Sequence, residues 1–303
     1  MPSARFHGGN ISENVRSIAE RVRDLVPNPM VIYSDVDGTL LGPGGCLFLD
    51  AERKLTLAPA RAIVACHLHK LDVVLISGRS RAQLHGDARV FGFENWIAEL
   101  GCQLVYNKGE VVIENAGPCR PHGRSVYRSI EESGAPRLLL DAYAGRLEYH
   151  LPWSENRECT HVMRGYVDVE EANSLLERAG HGDLKLVDNG RVHRTSLGLS
   201  LNLPEIHAYH LLPKESGKAS AVRKDREIRN IPKDAAVAIG DAESDLELAD
   251  EVALLFLVSN ALTEDRVLSK RSSEKENVIV TEHAMGLGWA EAIGYLTGAC
   301  FFG

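Results

Sequence analysis

The 303-residue sequence predicts an α/β fold, with a Rossmann-like core built on a parallel sheet and an inserted, smaller α+β cap domain. Short strands that are apolar on both faces alternate with helical segments near both ends of the chain, which is typical of a parallel sheet covered by helices. Between these segments the pattern changes to hairpins and closely spaced strands. A chain of this length is long enough to form two folding units.

Composition and charge narrow the range of possible functions. Hydrophobic residues make up 44% of the chain and charged residues 25%, which is ordinary for a globular protein. The formal net charge of −8 argues against nucleic acid or an anionic membrane as a partner. The six cysteines show no CxxC pair, and we find no signal-peptide core and no apolar run of membrane length. We therefore expect a cytoplasmic protein with reduced thiols and a small-molecule partner.

An amphipathic helix is predicted in the N-terminal extension, residues 1–28. Apolar side chains recur at helical spacing through residues 11–26, Asn10 and Glu13 are suited to cap the start, and Pro27 ends the segment. We expect this helix to pack on the core or to mediate a dimer. Both a monomer and a homodimer therefore remain open.

The predicted core comprises residues 1–112 and 207–303. Its buried strands are predicted at residues 30–35, 72–77, 96–100, 235–240 and 252–258. Helices that start near Pro59, Ser80 and Ala219 alternate with them, and residues 104–114 form a hairpin that turns at Asn107-Lys108-Gly109. This order indicates parallel strands with helical crossovers.

The predicted cap comprises residues 113–206, and a loop with Pro118, Pro121 and Gly123 marks its start. A helix is predicted at residues 124–133 and another at 169–179, with strands at 137–141, 146–151, 161–167, 184–188 and 191–195. The last two strands are expected to form a hairpin at Asn189-Gly190, which is a strong turn signal. We expect the chain to return to the core near residues 205–211.

Chemistry-bearing side chains follow the ends of three predicted core strands. Asp35 and Asp37 follow the first, Ser77 follows the second, and Asp241 and Asp245 follow the strand at 235–240. Ligands bind at this carboxyl edge in open α/β sheets. One alternative is that each acidic segment is only a polar turn at the end of a strand. The convergence of separate segments on one edge favours a functional site.

Several carboxylates at one point repel one another unless a hard cation lies among them. Mg²⁺ prefers oxygen ligands and binds with one or two carboxylates and a phosphate oxygen. An aspartate can attack a phosphoryl group and form an aspartyl-phosphate. Lys218, Ser77 and the backbone amide of Gly78 could hold the remaining phosphoryl oxygens. The pattern therefore favours Mg²⁺-dependent phosphoryl chemistry.

Four motifs resemble those of the haloacid dehalogenase superfamily. They are residues 35–40 (DVDGTL), 76–79 (ISGR), 216–221 (SGKASA) and 240–245 (GDAESD). Their order, with a large insert between the second and the third, is similar to the Cof-like subgroup and to the sucrose-phosphate and trehalose-phosphate phosphatases. The resemblance spans residues 35–245 and covers most of the chain.

The resemblance implies a role for each matching residue. Asp35 would be the nucleophile, Asp37 the general acid and base, and Lys218 the cation that balances the charge on Asp35 and on the phosphate. The metal ligands would be Asp35, Asp37 through its backbone carbonyl, Asp241 and Asp245. Asp245 would act directly, through water, or by orienting Lys218. The phosphate-binding and substrate-binding residues would be Ser77, Gly78, Arg79 and Asn260.

Some residues depart from the family's pattern or have alternative interpretations. Ser244 stands where many relatives have Asn, and Leu100 precedes Gly101 where many have Asn. Lys214 is a rival of Lys218, and Arg79 either contacts substrate or pairs with an acid. Asp245 could instead be a helix-start residue that the helix dipole favours. Candidate substrate contacts in the cap are His150, Trp153, His161 and Arg164.

These observations predict a Mg²⁺-dependent phosphatase that hydrolyses a small phosphomonoester, a sugar or sugar-like phosphate, through an aspartyl-phosphate. A phosphosugar mutase is the nearest alternative, because it would share the motifs but transfer the group to a second sugar position. A third alternative is a non-catalytic phosphate-ligand binding protein on the same scaffold.

Overall fold

The computed structural model describes residues 13–119, 124–192, 198–200, 202–264 and 266–302. The chain divides into two compact units, which are described separately. The first contains the segments up to Ile76, Ala88–Asn95 and from Val222 onward, and the second contains Ser77–Asp87 and Trp96–Ala221. The predicted extents of core (1–112 and 207–303) and cap (113–206) remain predictions, apart from the return to the core near residue 207, which is corrected below.

The described residues form the following strands and helices. The strands are β1 (Val31–Ser34), β2 (Asp72–Ile76), β3 (Asn95–Ala98), β4 (Gln103–Tyr106), β5 (Val111–Glu114), β6 (Leu147–Tyr149), β7 (His161–Gly165), β8 (Leu184–Arg191), β9 (His207–Pro213), β10 (Ala236–Gly240), β11 (Leu254–Leu257) and β12 (Val278–Val280). The helices are α1 (Glu13–Leu25), α2 (Ala58–His69), α3 (Arg81–Phe91), α4 (Val126–Ser133), α5 (Ala135–Ala142), α6 (Val169–Arg178), α7 (Lys218–Arg229), α8 (Glu243–Leu246), α9 (Asn260–Glu264), α10 (Arg266–Ser273) and α11 (Met285–Thr297). No helix in the described ranges is long and apolar enough to cross a membrane.

A parallel sheet forms the centre of the first unit, in the strand order β12-β11-β10-β1-β2. Ser34, the last residue of β1, lies beside Ile239 of β10 and Leu75 of β2. The residues of β1, β10 and β11 are buried, which explains their unbroken apolar sequences. Together with the separate antiparallel sheet of the second unit, this arrangement confirms the predicted α/β class.

Helix α1 packs on the first unit. It contacts α11, and Val22 and Val26 are buried. The predicted capping residue Asn10 and the predicted first turn lie outside the described residues. A dimer contact through this helix stays a prediction.

The second unit contains two antiparallel arrangements. Strands β3, β4 and β5 form a meander whose β4–β5 turn at Asn107–Gly109 is the predicted one. Strands β6, β7, β9 and β8 form a four-stranded antiparallel sheet in that order. Its buried face and the helices α4, α5 and α6 share one apolar core, which includes Leu139, Met163 and Tyr209.

Three predictions in this region are wrong. Residues 137–141 belong to helix α5, in which only Leu139 of that stretch is fully buried, as one face of a short helix requires. The return to the core at residues 205–211 is also wrong, because β9 pairs with β7 and β8. Both errors come from short apolar runs, which do not by themselves distinguish helix from strand or one sheet from another.

The predicted hairpin at Asn189-Gly190 is the third error. Strand β8 continues through these residues to Arg191, and the pairing with β9 shifts register between Asp188 and Arg191. The turn-forming dipeptide therefore makes a bulge within a strand. The predicted partner strand at 191–195 lies partly outside the described residues, as do Pro121 and Gly123.

An ion-paired histidine lies beside this bulge. Nδ1 of His207 is 2.7 Å from Oδ2 of Asp188, and Nε2 is 3.2 Å from Oε1 of Glu205. The close contact with Asp188, and then the negative charges of both acids, raise the pKa of His207, and partial burial opposes them. Because the folded-state pKa is raised, the stabilisation is fully present below the ordinary value of about 6.5. It is lost as the pH rises through the raised folded-state pKa.

We expect His207→Gln to lower the free energy of unfolding by up to about 1 kcal/mol at pH 6. The difference from the wild type should be smaller at pH 8.5 than at pH 6, because the imidazole loses its charge as the pH rises through its raised folded-state pKa. Denaturant unfolding at the two pH values measures both differences. His181→Gln is the matched control, since His181 forms no ion pair among the described residues. An equal loss at both pH values would show that His207 stabilises the bulge without its charge.

Candidate functional site

Three carboxylates meet at the carboxyl edge of the parallel sheet. Asp35 follows β1 directly, Asp241 follows β10, and Asp245 lies in α8. Their ligand oxygens all lie within 4.8 Å of one another, and Asp35 and Asp245 are buried, with exposures of 6% and 0%. The register of β1 with β10 brings the two strand ends side by side. The sequence prediction that these three residues converge is therefore confirmed.

Backbone and side-chain donors hold these carboxylates in place. Oδ2 of Asp245 accepts hydrogen bonds from the amides of Asp241 (3.2 Å) and Ala242 (3.1 Å). The hydroxyl of Thr39 donates to Oδ1 of Asp241 at 3.0 Å. Donors of this kind reduce the repulsion among ionised carboxylates and fix their orientation.

Asn260 connects the acidic cluster to the first motif. Its Nδ2 donates to Oδ2 of Asp241 (3.1 Å) and to the carbonyl of Gly38 (3.0 Å). Its Oδ1 accepts a hydrogen bond from the amide of Met285 at 2.8 Å. These contacts are those of a residue that orients Asp241. The substrate contact predicted for Asn260 remains a prediction.

Gly38 provides the space into which Asp241 projects. A Cβ atom at this position would collide with Oδ2 of Asp241, and its φ of +83° also favours glycine. The turn is closed by the amide of Leu41, which donates to the carbonyl of Val36 at 2.9 Å. The glycine of the first motif is therefore needed for both conformation and space.

The donor set of the cluster fits a hard divalent cation. Three carboxylates within 4.8 Å offer the oxygen ligands that Mg²⁺ prefers, and the hydrogen bonds described above pre-orient two of them. Asp37, the fourth predicted ligand, has an exposed side chain on the turn that follows β1. An exposed carboxyl group at this position is able to exchange protons with water and with a leaving group.

Residues 77–79 of the second motif lie in the second unit. Ser77 is buried, its amide donates to the carbonyl of Ile97 (3.1 Å), and its Oγ accepts from the amide of Arg79 (3.2 Å). The guanidinium of Arg79 pairs with Asp87 at 2.7 Å. From the sequence, Arg79 could either contact substrate or pair with an acid. The structure shows such an acid, Asp87.

Lys218 begins helix α7 and is only 4% exposed, whereas its rival Lys214 is exposed. Burial favours Lys218 as the lysine of the third motif, because a buried ammonium group requires an anionic or polar partner. The carbonyl of Gly217 lies so close to Gly101 that a Cβ at residue 101 would collide with it. Gly101 also has a φ of +92°, which favours glycine. Position 101 therefore requires glycine, although the residue before it, Leu100, departs from the family's pattern.

Asn115 holds the same region together and was not anticipated from the sequence. Its Nδ2 donates to the carbonyl of Gly101 (3.0 Å) and to Oγ of Ser220 (3.1 Å), and its carbonyl accepts from Ser216. Ser244, the other departure, has a buried hydroxyl with no hydrogen-bond partner in the described part of the chain. The sequence marked Ser244 as a departure from the family's pattern, whereas no sequence signal distinguishes Asn115.

The four candidate contacts of the cap differ in their surroundings. His161 stacks on Tyr127 at 3.8 Å, and both of its ring nitrogens have hydrogen-bond partners. Arg164 pairs with Glu148 at 2.7 Å. These two side chains thus contact their own unit, which does not support a role in substrate binding. His150 is buried and Trp153 is partly exposed.

The sequence analysis did not identify the residues that surround Gly78. Nη1 of Arg157 donates to the carbonyl of Gly78 at 2.6 Å. A Cβ at Gly78 would lie 2.7 Å from Nδ2 of Asn189 and 3.0 Å from Nε2 of His210. In the sequence, Arg157 does not stand out, because it is one of ten arginines in residues 113–206, and Asn189 with Gly190 indicates a turn. Only the folded sheet brings these residues to the second motif.

We expect Gly38→Ala to lower the affinity for Mg²⁺ at least about tenfold, because the new Cβ displaces Asp241. Isothermal titration calorimetry measures the affinity. Gly44→Ala is the matched control: Gly44 also has a positive φ (+76°), but a Cβ there meets nothing within 4 Å. Similar affinities of the two variants would show that the approach of Gly38 to Asp241 does not matter for metal binding.

Comparison with known proteins gives sequence and structural relatives. No protein-family model matches the chain. A phosphoglycolate phosphatase of Metallosphaera sedula is 24% identical over 76% of this chain and 86% of the relative. The crystal structure of the sucrose-phosphatase of Synechocystis with sucrose and phosphate aligns with a TM-score of 0.59 and 15% identity, over 88% of this chain and 98% of that one. A phosphatase of the haloalkanoate (HAD) enzyme superfamily from Bacteroides thetaiotaomicron aligns with a TM-score of 0.60 and 16% identity, over 89% and 96%.

The structural relatives share the fold, and the sequence relative matches over most of its own length. The first and fourth motifs, residues 35–40 and 240–245, supply the acidic cluster of the first unit. The second and third, residues 76–79 and 216–221, occur in the expected order along the chain. The fold and the order of the four motifs thus agree with the resemblance to the haloacid dehalogenase-like hydrolase superfamily, and the relatives reported above are named phosphatases.

Proposed function

We propose that this phosphatase hydrolyses a small phosphomonoester in a Mg²⁺-dependent reaction with an aspartyl-phosphate intermediate at Asp35. The observation that carries the proposal is the cluster of Asp35, Asp241 and Asp245, whose oxygens lie within 4.8 Å of one another. Asp35 is at once the member nearest the end of β1 and the first residue of the family motif.

The first chemical step transfers the phosphoryl group to the enzyme. A carboxylate oxygen of Asp35 attacks phosphorus and forms a new P–O bond, and the ester P–O bond breaks. The protonated carboxyl group of Asp37 gives its proton to the departing oxygen, which leaves as an alcohol. The exposed position of Asp37 in the turn after β1 suits this exchange.

The second step returns the enzyme to its starting state. A water oxygen attacks phosphorus, the bond between phosphorus and Asp35 breaks, and inorganic phosphate is released. The carboxylate of Asp37 accepts a proton from the attacking water and is ready for the next turnover. The roles of Ser77 and Lys218 in holding the phosphoryl oxygens follow from the motifs in which they lie.

Mg²⁺ would be held by Asp35, Asp241 and Asp245, with Asp37 as a further ligand, and would neutralise negative charge on the phosphoryl oxygens. Asn260 and Thr39 contribute by holding Asp241 through hydrogen bonds of 3.1 and 3.0 Å. The hydrogen bonds from the amides of Asp241 and Ala242 hold the carboxylate of Asp245 in the same way.

For the substrate, we propose a phosphorylated small metabolite. Phosphoglycolate is the first candidate, because relatives that match this chain over most of their length bear the name phosphoglycolate phosphatase. A sugar or sugar-like phosphate, as predicted from the sequence, is the second, because the sucrose-phosphatase shares the fold. A cytoplasmic location and a monomeric or homodimeric state remain predictions.

The proposal is tested by measuring phosphate release from phosphoglycolate, sugar phosphates and p-nitrophenyl phosphate, with Mg²⁺ and with a chelator. We expect turnover only with the metal, and a loss of at least about a thousandfold in kcat for Asp35→Asn. Asp24→Asn, in the exposed part of α1, is the control and should behave as the wild type. Near-normal turnover by Asp35→Asn would contradict the role of Asp35 as nucleophile.

The same samples distinguish the phosphatase from a mutase and from a binding protein. Phosphorus NMR of sugar-phosphate reactions should show inorganic phosphate and no isomeric ester. Accumulation of an isomer would favour the mutase. Binding of phosphate esters without any turnover would favour the non-catalytic alternative.

Two lysines near the third motif allow a matched test. We expect Lys218→Met to lower kcat at least about a hundredfold, because the buried ammonium would no longer offset negative charge in the transition state. Lys214→Met removes an exposed charge four residues earlier and should leave kcat within about twofold. Steady-state kinetics with p-nitrophenyl phosphate measures both. Equal effects of the two changes would contradict the assignment of Lys218.

A further inference from the structure

Arg157 occupies an unusual position for an arginine in the second unit. Its Nη1 donates to the carbonyl of Gly78 at 2.6 Å, and its Nε donates to the carbonyl of Trp153 at 2.8 Å. A guanidinium has five N–H groups, so three donate to no protein atom among the described residues. By contrast, Arg81 and Arg164 in the same unit pair with Glu158 (2.5 Å) and Glu148 (2.7 Å).

No carboxylate lies within 4.0 Å of Arg157 in the described part of the chain. Glu99 is the acid that acts on it electrostatically, and burial is the main influence, which lowers the pKa of Arg157. The oxygens of Glu99 already accept from the amides of Glu158 (2.9 Å), Cys159 (3.1 Å) and Thr160 (2.7 Å). The hydroxyl of Thr160 also donates to Glu99, at 2.9 Å. Glu99 therefore fixes the segment that follows Arg157, while its own oxygens are occupied.

The surroundings of Gly78 favour an anion. Burial, and then the charges of Arg157, His150 and Lys218, lower the pKa of His210 well below its usual range, so its ring stays neutral. A neutral ring adds no charge to a region that already holds a guanidinium and an ammonium group. An anionic ligand would relieve the excess of positive charge at Arg157, which no described carboxylate contacts, and a guanidinium binds a carboxylate with two parallel hydrogen bonds.

The location of this excess points to a specific part of the substrate. Gly78 is adjacent in sequence to Ser77, the proposed phosphoryl-binding residue, and Arg157 is hydrogen-bonded to Gly78. In a phosphorylated two-carbon acid, the carboxylate is separated from the phosphoryl group by only a methylene and an oxygen. The carboxylate of such a substrate must therefore lie close to the phosphoryl-binding residues.

We propose that Arg157 is a specificity-determining residue that binds the carboxylate of a phosphorylated hydroxy acid. The proposal rests on the phosphatase function proposed above and names the substrate class of the same site. It separates phosphorylated hydroxy acids, which carry a second anionic group next to the phosphoryl group, from phosphorylated neutral sugars. Glu99 is a positioning residue for Arg157, because it acts through the backbone of residues 158–160.

The test compares two substrates that differ in one group, phosphoglycolate and ethyl phosphate, with Mg²⁺ present. We expect the wild type to prefer phosphoglycolate in kcat/KM. In Arg157→Met, the ratio of kcat/KM for phosphoglycolate to that for ethyl phosphate should fall about 10- to 100-fold, mainly through KM for phosphoglycolate. The ratio for Arg157→Lys should lie between those of the wild type and Arg157→Met, since an ammonium keeps the charge but cannot form two parallel hydrogen bonds to a carboxylate.

Arg137→Met is the matched control, since it removes an arginine of the same unit whose side chain is 88% exposed, and its substrate ratio should equal that of the wild type. Circular dichroism checks folding, and Arg157→Lys decides the question if Arg157→Met does not fold. An unchanged ratio, or an equal loss on both substrates, would overturn the proposal. So would a wild type that hydrolyses ethyl phosphate as efficiently as phosphoglycolate. If the wild type hydrolyses neither these esters nor p-nitrophenyl phosphate, the phosphatase function itself has failed.

Discussion

Repulsion among Asp35, Asp241 and Asp245 is the constraint on which the first unit depends. Three carboxylates whose oxygens lie within 4.8 Å destabilise the folded state unless donors or a cation offset their charge. The protein supplies donors from several separate elements: the turn after β1, the start of α8 and the start of α9. Each element must be in place before the acids can be brought so close. The cluster therefore requires the ordered parallel sheet, and the strand register provides it.

Much of this arrangement could be predicted from the sequence, because it depends on local signals at strand ends. An apolar run that stops at Asp35, and another that stops at Asp241, identify buried parallel strands and their shared edge without any knowledge of the helices. The burial of Lys218 rather than Lys214 also agrees with the motif. Such features depend on residue order and on the rule that parallel strands end on one side.

The second unit was predicted less well, for reasons that are also physical. The apolar run at 137–141 is too short for its hydrophobic periodicity to distinguish a helix from a strand. In the structure it belongs to helix α5, and Leu139 packs in the apolar core. Asn189-Gly190 favours a tight turn locally, but pairing with β9 keeps it inside strand β8. Tertiary hydrogen bonds thus overrode a strong local preference. For the same reason no local pattern singled out Arg157, whose contact with Gly78 joins residues 79 positions apart.

The two units present opposite electrostatic problems. The first gathers carboxylates whose charge a cation would offset, whereas the second holds the guanidinium of Arg157 near a histidine that burial keeps neutral. The one fully buried acid in this part of the second unit, Glu99, is satisfied by three amides and a hydroxyl, so it offsets little of that charge for a ligand. A phosphorylated hydroxy acid, the proposed substrate class, carries both a phosphoryl group and a carboxylate able to pair with the guanidinium of Arg157. A neutral sugar phosphate carries only the first, so on electrostatic grounds it leaves the charge of Arg157 without a partner.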